Sequence, residues 1–286
     1  MKHFFIVTNQ QKDEELTLTG RVQDYILSRG GACEYGTIQK HETDGFKSLN
    51  PEELPEGCEC VICIGGDGTL IRTAHEFLKE HVPIIGVNRG HIGYLCELDS
   101  QTVFGAIDAL MKDEYMVEER MMLHGYCIRG GEKQPPHRAL NDFVIHRSGL
   151  GQVVNLTISV NGEYLNTYSA DGMIVATPTG STAYSMSAGG PIVDPKAELF
   201  VMTPISPHSL NSRSIVLGAE DEITIGIGSR RMEQDEQVEV SFDGESAMQL
   251  AVGDQVVIRR SAVSTRFVKL SNRSFLEILR KKMQAP

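Results

Sequence analysis

The chain has 286 residues, 41% of them apolar, with 38 acidic against 27 basic side chains and a formal charge of −11. That length suits two domains, or one large one, around a substantial core. The charge argues against a nucleic-acid or anionic-membrane face, and no run approaches the roughly 18 consecutive apolar residues that span a bilayer. A net-acidic protein that handles phosphates must do so locally, through backbone N–H groups, a few placed cations or a bound metal.

The opening run Met1–Asn9 turns polar too soon for a secretory leader, so a buried first strand over His3–Thr8 and a cytoplasmic protein are expected. A helix follows over Leu16–Arg29, then a polar loop, His41–Gly57. Val61–Ile64 reads as a buried strand and Leu70–Lys79 as a helix, with Leu70, Ile71, Ala74, Phe77 and Leu78 at helical spacing. Val82–Val87 is another apolar strand and Thr102–Lys112 another helix. Apolar strands alternating with helices imply a parallel sheet covered on both faces, which binds ligands at the carboxyl ends of its strands. The six cysteines, Cys58, Cys60 and Cys63 among them, have no completing pair or histidine cluster and read as reduced thiols.

Between the strand at 61–64 and the following helix lies Gly65-Gly66-Asp67-Gly68-Thr69. Glycines admit positive φ and let main-chain N–H groups approach an anion, and the helix start adds unpaired donors. An acid at such a turn would repel phosphate, so Asp67 needs a chemical reason. It either holds a divalent metal or accepts a proton from an attacking hydroxyl, as phosphoryl transfer requires. Gly86–Leu95 is a second glycine-rich loop at the same sheet edge, and the two together form a phosphate cradle.

From about Tyr115 the texture changes. Leu140-Asn141-Asp142 places an amide and a carboxylate before an apolar strand; this is a turn, or a pair that reads an adenine edge and a ribose. Val153–Val160 and Glu163–Ser169 flank Asn161-Gly162, a favoured two-residue hairpin turn. Thr177–Pro191 has no charged residue and carries seven hydroxyls among Gly and Ala. Neutral hydroxyls bond bases and sugars without repelling phosphate, and Tyr184 adds a stacking face. Further strands over Ile223–Ile227, Val238–Phe242 and Val256–Arg260, with Asp243-Gly244 as a turn, describe an antiparallel β-sandwich. The nine histidines lack metal spacing, although His208 directly follows the Pro204–Pro207 segment. Glu233–Glu239 reads as a solvated hairpin face, and Arg230-Arg231 is too small for a nucleic-acid patch. The chain closes with a helix over Ser274–Lys282 whose late cations suit its negative end.

These segments resemble the NAD kinases of the GGDGT kinase superfamily. Gly65–Thr69 matches the first motif, Gly86–Leu95 the second loop, Asn141-Asp142 the Asn-acid pair and Asp171–Pro191 the long TPTGSTAY…GG signature. Pro204–Val216 resembles the Pro-x-x-Pro-His segment and Asp243–Glu245 the late Asp-Gly turn. Loop 41–57 matches nothing specific, and Arg89-Gly90-His91 departs from the usual small residues.

The resemblance implies a Rossmann-like α/β domain over 1–114 with 267–286 packed back on it, and an all-β domain over 115–266 that binds NAD and mediates oligomers. It implies transfer of the ATP γ-phosphate, with a divalent cation such as Mg²⁺, to the 2′-hydroxyl of the adenosine ribose of NAD⁺. Asp67 is then the base, and Gly66 and Gly68 face phosphate. Arg72 offsets phosphate charge or is an ordinary surface arginine. By the same similarity Asn141 and Thr179 read the adenine, Asp142 and Asp171 engage sugar hydroxyls or the nicotinamide part, and Thr182, Ala183, Tyr184 and Ser187 line the NAD site. No metal-ligating side chain is assigned. The implied partners are small nucleotides, not nucleic acid or membrane, in a homodimer or homotetramer. A lipid kinase with the same first motif, or a non-catalytic NAD-binding regulator, is the alternative.

Overall fold

The stretches 4–7, 60–64 and 84–87 are apolar and buried because helices cover both faces of the strands they form. The computed structural model describes the chain except residues 42–44, 48–53, 91–92, 149–152, 210, 229–237, 271–273 and 285–286. Arg230-Arg231, His91, most of the acidic run 233–239 and much of loop 41–57 lie outside the described residues. Two compact units emerge, Met1–Glu119 with Thr265–Pro286, and Arg120–Ser264.

In the first unit the chain forms β1 (His3–Asn9), α1 (Thr17–Ser28), β2 (Ala32–His41), β3 (Gly45–Lys47), β4 (Cys60–Gly65), α2 (Asp67–Glu76), β5 (Ile84–Asn88), β6 (Leu98–Asp99), α3 (Val103–Met111) and β7 (Met116–Arg120). The second unit contributes β8 (Leu123–Arg129), β9 (Glu132–Lys133), β10 (His137–Ala139), β11 (Asp142–Arg147), β12 (Val154–Val160), β13 (Glu163–Ala170), β14 (Gly172–Ala176), α4 (Tyr184–Ser187), β15 (Leu199–Ile205), β16 (Ile215–Gly218), β17 (Ile223–Gly228), β18 (Val238–Phe242), β19 (Glu245–Leu250) and β20 (Gln255–Arg260). The chain then returns to the first unit with β21 (Thr265–Lys269) and α5 (Phe275–Gln284).

The first sheet runs β3-β2-β1-β4-β5-β21-β7, with β6 beside β5. Its centre is parallel: β1 pairs with β2 and β4, and β4 with β5. Phe4, Ile6, Ile62 and Ile64 pack with Leu18, Val22 and Ile26 of α1 and Val103, Ile107 and Leu110 of α3. Phe5, of opposite parity in β1, meets Phe77 edge-on at 5.9 Å just after α2. The unexpected element is β2. Only Cys33 and Ile38 are buried among residues whose side chains are described there, so its apolar pattern is weak and the seven-residue pairing with β1 specifies it.

The second unit is the expected sandwich of two antiparallel sheets, β10-β8-β20-β17-β12-β13 with β9 beside β8, and β16-β15-β14-β11-β18-β19. Leu123, Cys127, Leu156, Ile225 and Ile258 of one sheet share a core with Phe143, Val175, Phe200 and Val240 of the other. Strands such as β8, β12 and β17 alternate buried and part-exposed residues because only one face meets the core. Asn161-Gly162 and Asp243-Gly244 both turn with positive φ at each residue (52° and 81°, 53° and 74°), as two-residue hairpins of matching twist require. All six cysteines are free thiols, and burial pushes Cys63 up to about 12.

Candidate functional site

Asp67 opens α2, and Gly66, just before it, is extended with φ −150° and ψ −176°. None of Gly65, Gly66 and Gly68 takes a positive φ, which corrects the expectation that the turn exploits left-handed backbone. Gly65 is small for a packing reason: a Cβ there would lie 2.4 Å from Thr69 Oγ1. Beside Gly66 and Gly68 a Cβ would meet open space, so these two leave the approach to the first turn of α2 clear. The amides of that turn have no intrahelical acceptor.

The two glycine-rich loops do lie together. Arg89 donates its N–H to Gly65 O at 2.8 Å. The Asp67 carboxylate accepts N–H from Tyr94 (2.6 Å to Oδ2), from Leu95 (3.3 Å to each oxygen) and from Cys96 (3.1 Å to Oδ1). Gly93 makes this possible, because a Cβ there would lie 1.9 Å from Asp67 Oδ1. The carboxylate is thus held in one orientation by main-chain donors. Arg89 itself turns away, with its guanidinium 3.5 Å from buried Asp13 and bonded to Lys12 O. Arg72 is half-buried within α2.

In the second unit a cleft of about 800 Å³ is lined by Asn141, Asp142, Arg147, Asp171, Ala183, Tyr184 and Asp243, among others, a volume within the usual range of small-molecule sites. Backbone contact brings two sequence motifs to it. Asn141 O accepts N–H from Thr177 at 2.8 Å, and a Cβ on Gly180 would lie 2.1 Å from the same carbonyl. Glycine is therefore required in the middle of the hydroxyl-rich segment.

The seven hydroxyls of that segment divide by role. Thr177 donates to Leu140 O and accepts from Gly180 N, Ser181 donates to Pro178 O, and Ser185 bonds Thr203, all buried. These staple the fold. Thr179 is buried against Arg120, and Thr182 donates to Thr179 O. Tyr184 is 46% exposed and reaches the cleft. Of the residues expected at a nucleotide site, Asn141, Asp142, Asp171, Ala183 and Tyr184 line this cleft, whereas Thr179, Thr182 and Ser187 do not. His208 donates its amide to Ser169 O and lies off the cleft.

Electrostatics separate the cleft's acids. The Asp243 carboxylate accepts N–H from Leu140 (2.7 Å), Asn141 (2.7 Å) and Asp142 (3.0 Å). Asp142 receives no such help; burial, and then the neighbouring Asp243 charge, push its carboxyl up to about 7. Asp171 is held by Arg147 Nε at 2.8 Å. The sequence marks Asp243 as a turn residue, not as an amide acceptor, and gives Arg147 no signal. The acceptor role was detectable indirectly, from Asp243-Gly244, since an aspartate before glycine in a hairpin turn presents acceptors to nearby amides. The amide donors of Tyr94–Cys96 leave no side-chain signature and could not be read.

The model of the ATP-NAD kinase N-terminal domain matches residues 4–115, and that of the C-terminal domain residues 140–270. The chain is 51% identical over 283 residues to the NAD kinase of Agathobacter rectalis, covering 99% of each, and 44% identical over 293 residues to that of Lachnospira eligens, covering 99% and 100%. Among solved structures it resembles yeast NADH kinase complexed with NADH (TM-score 0.79, 23% identity, 99% and 87% covered). It also resembles an NAD kinase from Archaeoglobus fulgidus in complex with ATP (TM-score 0.78, 22% identity, 99% and 100% covered). At those identities the structural likeness bears on the fold.

Proposed function

This chain belongs to the ATP-NAD kinase family, and on that premise we propose how its residues carry out the reaction. It is a kinase that phosphorylates NAD, and nothing favours a lipid acceptor or a non-catalytic role. The transferred group is the γ-phosphate of ATP and the acceptor is the 2′-hydroxyl of the adenosine ribose of NAD⁺, giving NADP⁺.

Asp67 takes the proton of that hydroxyl as its oxygen attacks phosphorus. The observation that carries this is the carboxylate held by three consecutive amides at the start of α2, with Gly66 and Gly68 leaving space beside it. A loose phosphoryl transition state asks mainly for positioning and charge stabilisation, so an oriented carboxylate and nearby amides suit it. Gly66, Gly68 and Arg72 attend the phosphates. In the second unit Asn141 and Asp142 recognise adenine and ribose, Asp171 meets the nicotinamide part, and Ala183 and Tyr184 form the wall of the NAD cleft. Asp142, still protonated up to about pH 7, can both donate to and accept from a sugar hydroxyl. Thr179 and Thr182 support that wall from behind.

Among the described residues no three His, Cys, Asp or Glu side chains form a ligand set. The divalent cation is read, from resemblance to the family, as arriving with the substrate in the magnesium complex of ATP. Assembly as a homodimer or homotetramer through the second unit, and a cytoplasmic location, rest on resemblance to the family.

The test is direct. Purified protein with NAD⁺, ATP and Mg²⁺ is expected to form NADP⁺, read by an NADP-specific dehydrogenase, and Asp67→Asn is expected to lose most of that rate. Full turnover by the variant would discard the proposed role of Asp67; no NADP⁺ from folded wild type with any phosphate donor would discard the reaction.

A further inference from the structure

We infer that Glu97 is a positioning residue for Asp67, and that the returning C-terminal segment thereby takes part in setting the catalytic geometry. The inference rests on the reading of Asp67 as the proton acceptor. Its carboxylate accepts the main-chain N–H groups of Tyr94, Leu95 and Cys96. That stretch follows Gly93 and is outside regular structure; the next strand, β6, is two residues long. Three amides cannot hold a carboxylate unless something holds the amides.

Glu97 is the next residue, and its side chain is only 6% exposed. Its Oε1 accepts the N–H of Leu270 at 3.2 Å, and its Oε2 lies 3.6 Å from Lys269 Nζ. Lys269 ends β21, which pairs with β5 at Phe267 and Ile84. At the other end of the stretch, the Lys282 ammonium of α5 sits 5.2 Å over the Tyr94 ring. A small cavity is lined by Tyr94, Cys96 and Glu97 together with Lys269, Ile278 and Lys281. The amides aimed at Asp67 are therefore anchored at both ends by residues beyond 265.

The other amide cradle explains why an anchor is needed. The donors to Asp243 run straight into β11, where pairing with β14 and β18 fixes them. The donors to Asp67 have no such strand. Stability alone does not call for a glutamate there, since a buried ion pair is often replaced by apolar groups at no loss. A carboxylate that ties a loop to another segment by an amide bond and a cation does supply position.

The experiment compares wild type, Glu97→Ala and Glu97→Gln, each also in the Asp67→Asn background, by steady-state kinetics and amide hydrogen exchange. Glu97→Ala is expected to lower kcat roughly 10- to 100-fold with KM for ATP and NAD⁺ within about threefold, the signature of a displaced reacting group. Glu97→Gln keeps an oxygen for the Leu270 N–H and is expected to recover most of the rate. Exchange at Tyr94–Cys96 is expected to quicken in Glu97→Ala, and not to quicken further when Asp67→Asn is already present, because both changes act on the same bonds. Unchanged kcat, a rise in KM alone, or equal effects of Glu97→Ala on rate and exchange in both backgrounds would make Glu97 a stabilising residue only and overturn the inference. Should Glu97→Ala not fold, Glu97→Gln and Lys269→Met carry the same comparison. Wild-type turnover by Asp67→Asn alone would remove the proton-acceptor reading, whatever Glu97 does.

Discussion

Each unit of this protein contains an aspartate at an Asp-Gly step whose carboxylate collects three consecutive main-chain amides, yet the two do different things. Asp67 accepts from Tyr94, Leu95 and Cys96, and Asp243 from Leu140, Asn141 and Asp142. Around Asp67 the glycines on either side open to space. Around Asp243 the cradle includes a second acid, Asp142, buried and unsupported by hydrogen bonds to its own carboxyl among the described residues. The same local device thus presents a carboxylate in one unit and fixes the Asn141-Asp142 edge of the cleft in the other. An aspartate beside glycine is not in itself a catalytic signal; what surrounds the carboxylate decides its use.

The comparison can be broken most forcefully at Asp67. Asp67→Asn keeps the size of the side chain but not its basicity, and its kcat should fall by about 10²- to 10⁴-fold, the span of general-base effects, in the NADP⁺ assay. Gly93→Ala leaves every proposed catalytic group intact but places a Cβ 1.9 Å from Asp67 Oδ1. It should cost on the order of 100-fold in kcat by displacing the carboxylate, with far-ultraviolet circular dichroism unchanged.

In the second unit the counterpart is Gly180→Ala, whose Cβ would lie 2.1 Å from Asn141 O. It should lower the melting temperature by roughly 5 °C and weaken NAD⁺ binding, because overpacking forces the two motifs apart.

Asp142→Asn sharpens the electrostatic half. Burial raises the folded carboxyl to about 7 from the ordinary 3.8. The folded state therefore binds the extra proton between those values, and stability from this group is lost as pH rises through that window. The variant should melt above wild type at pH 8 and show no such advantage at pH 4, as read by thermal denaturation across pH. Ser187→Ala, at an exposed residue off the cleft, should leave NAD⁺ kinetics within about twofold of wild type.

Much of the fold was legible. Helical spacing in 70–78 placed α2, although the helix begins at Asp67 itself. Alternation and the Asn161-Gly162 and Asp243-Gly244 steps located hairpins of the sandwich. β2 was not legible, since its burial is sparse and its specification comes from pairing with β1. In the candidate site Asn141, Asp142, Asp171, Ala183 and Tyr184 were readable as a group and do converge on one cleft. The composition of the hydroxyl-rich segment does not show which hydroxyls face outward: Thr177, Ser181 and Ser185 spend theirs on the fold.

The sequence by itself determined the family, the two kinds of domain and the choice of Asp67, because glycine spacing, apolar period and the order of motifs are properties of the chain. Only the tertiary structure decided which amides meet Asp67, that Asp142 stays protonated up to about pH 7, and that Glu97 reaches Lys269 and Leu270. Those facts depend on main-chain direction, burial and contacts between residues distant along the chain, from 27 positions for Asp67 and Tyr94 to 173 for Glu97 and Leu270. No composition or local pattern encodes them.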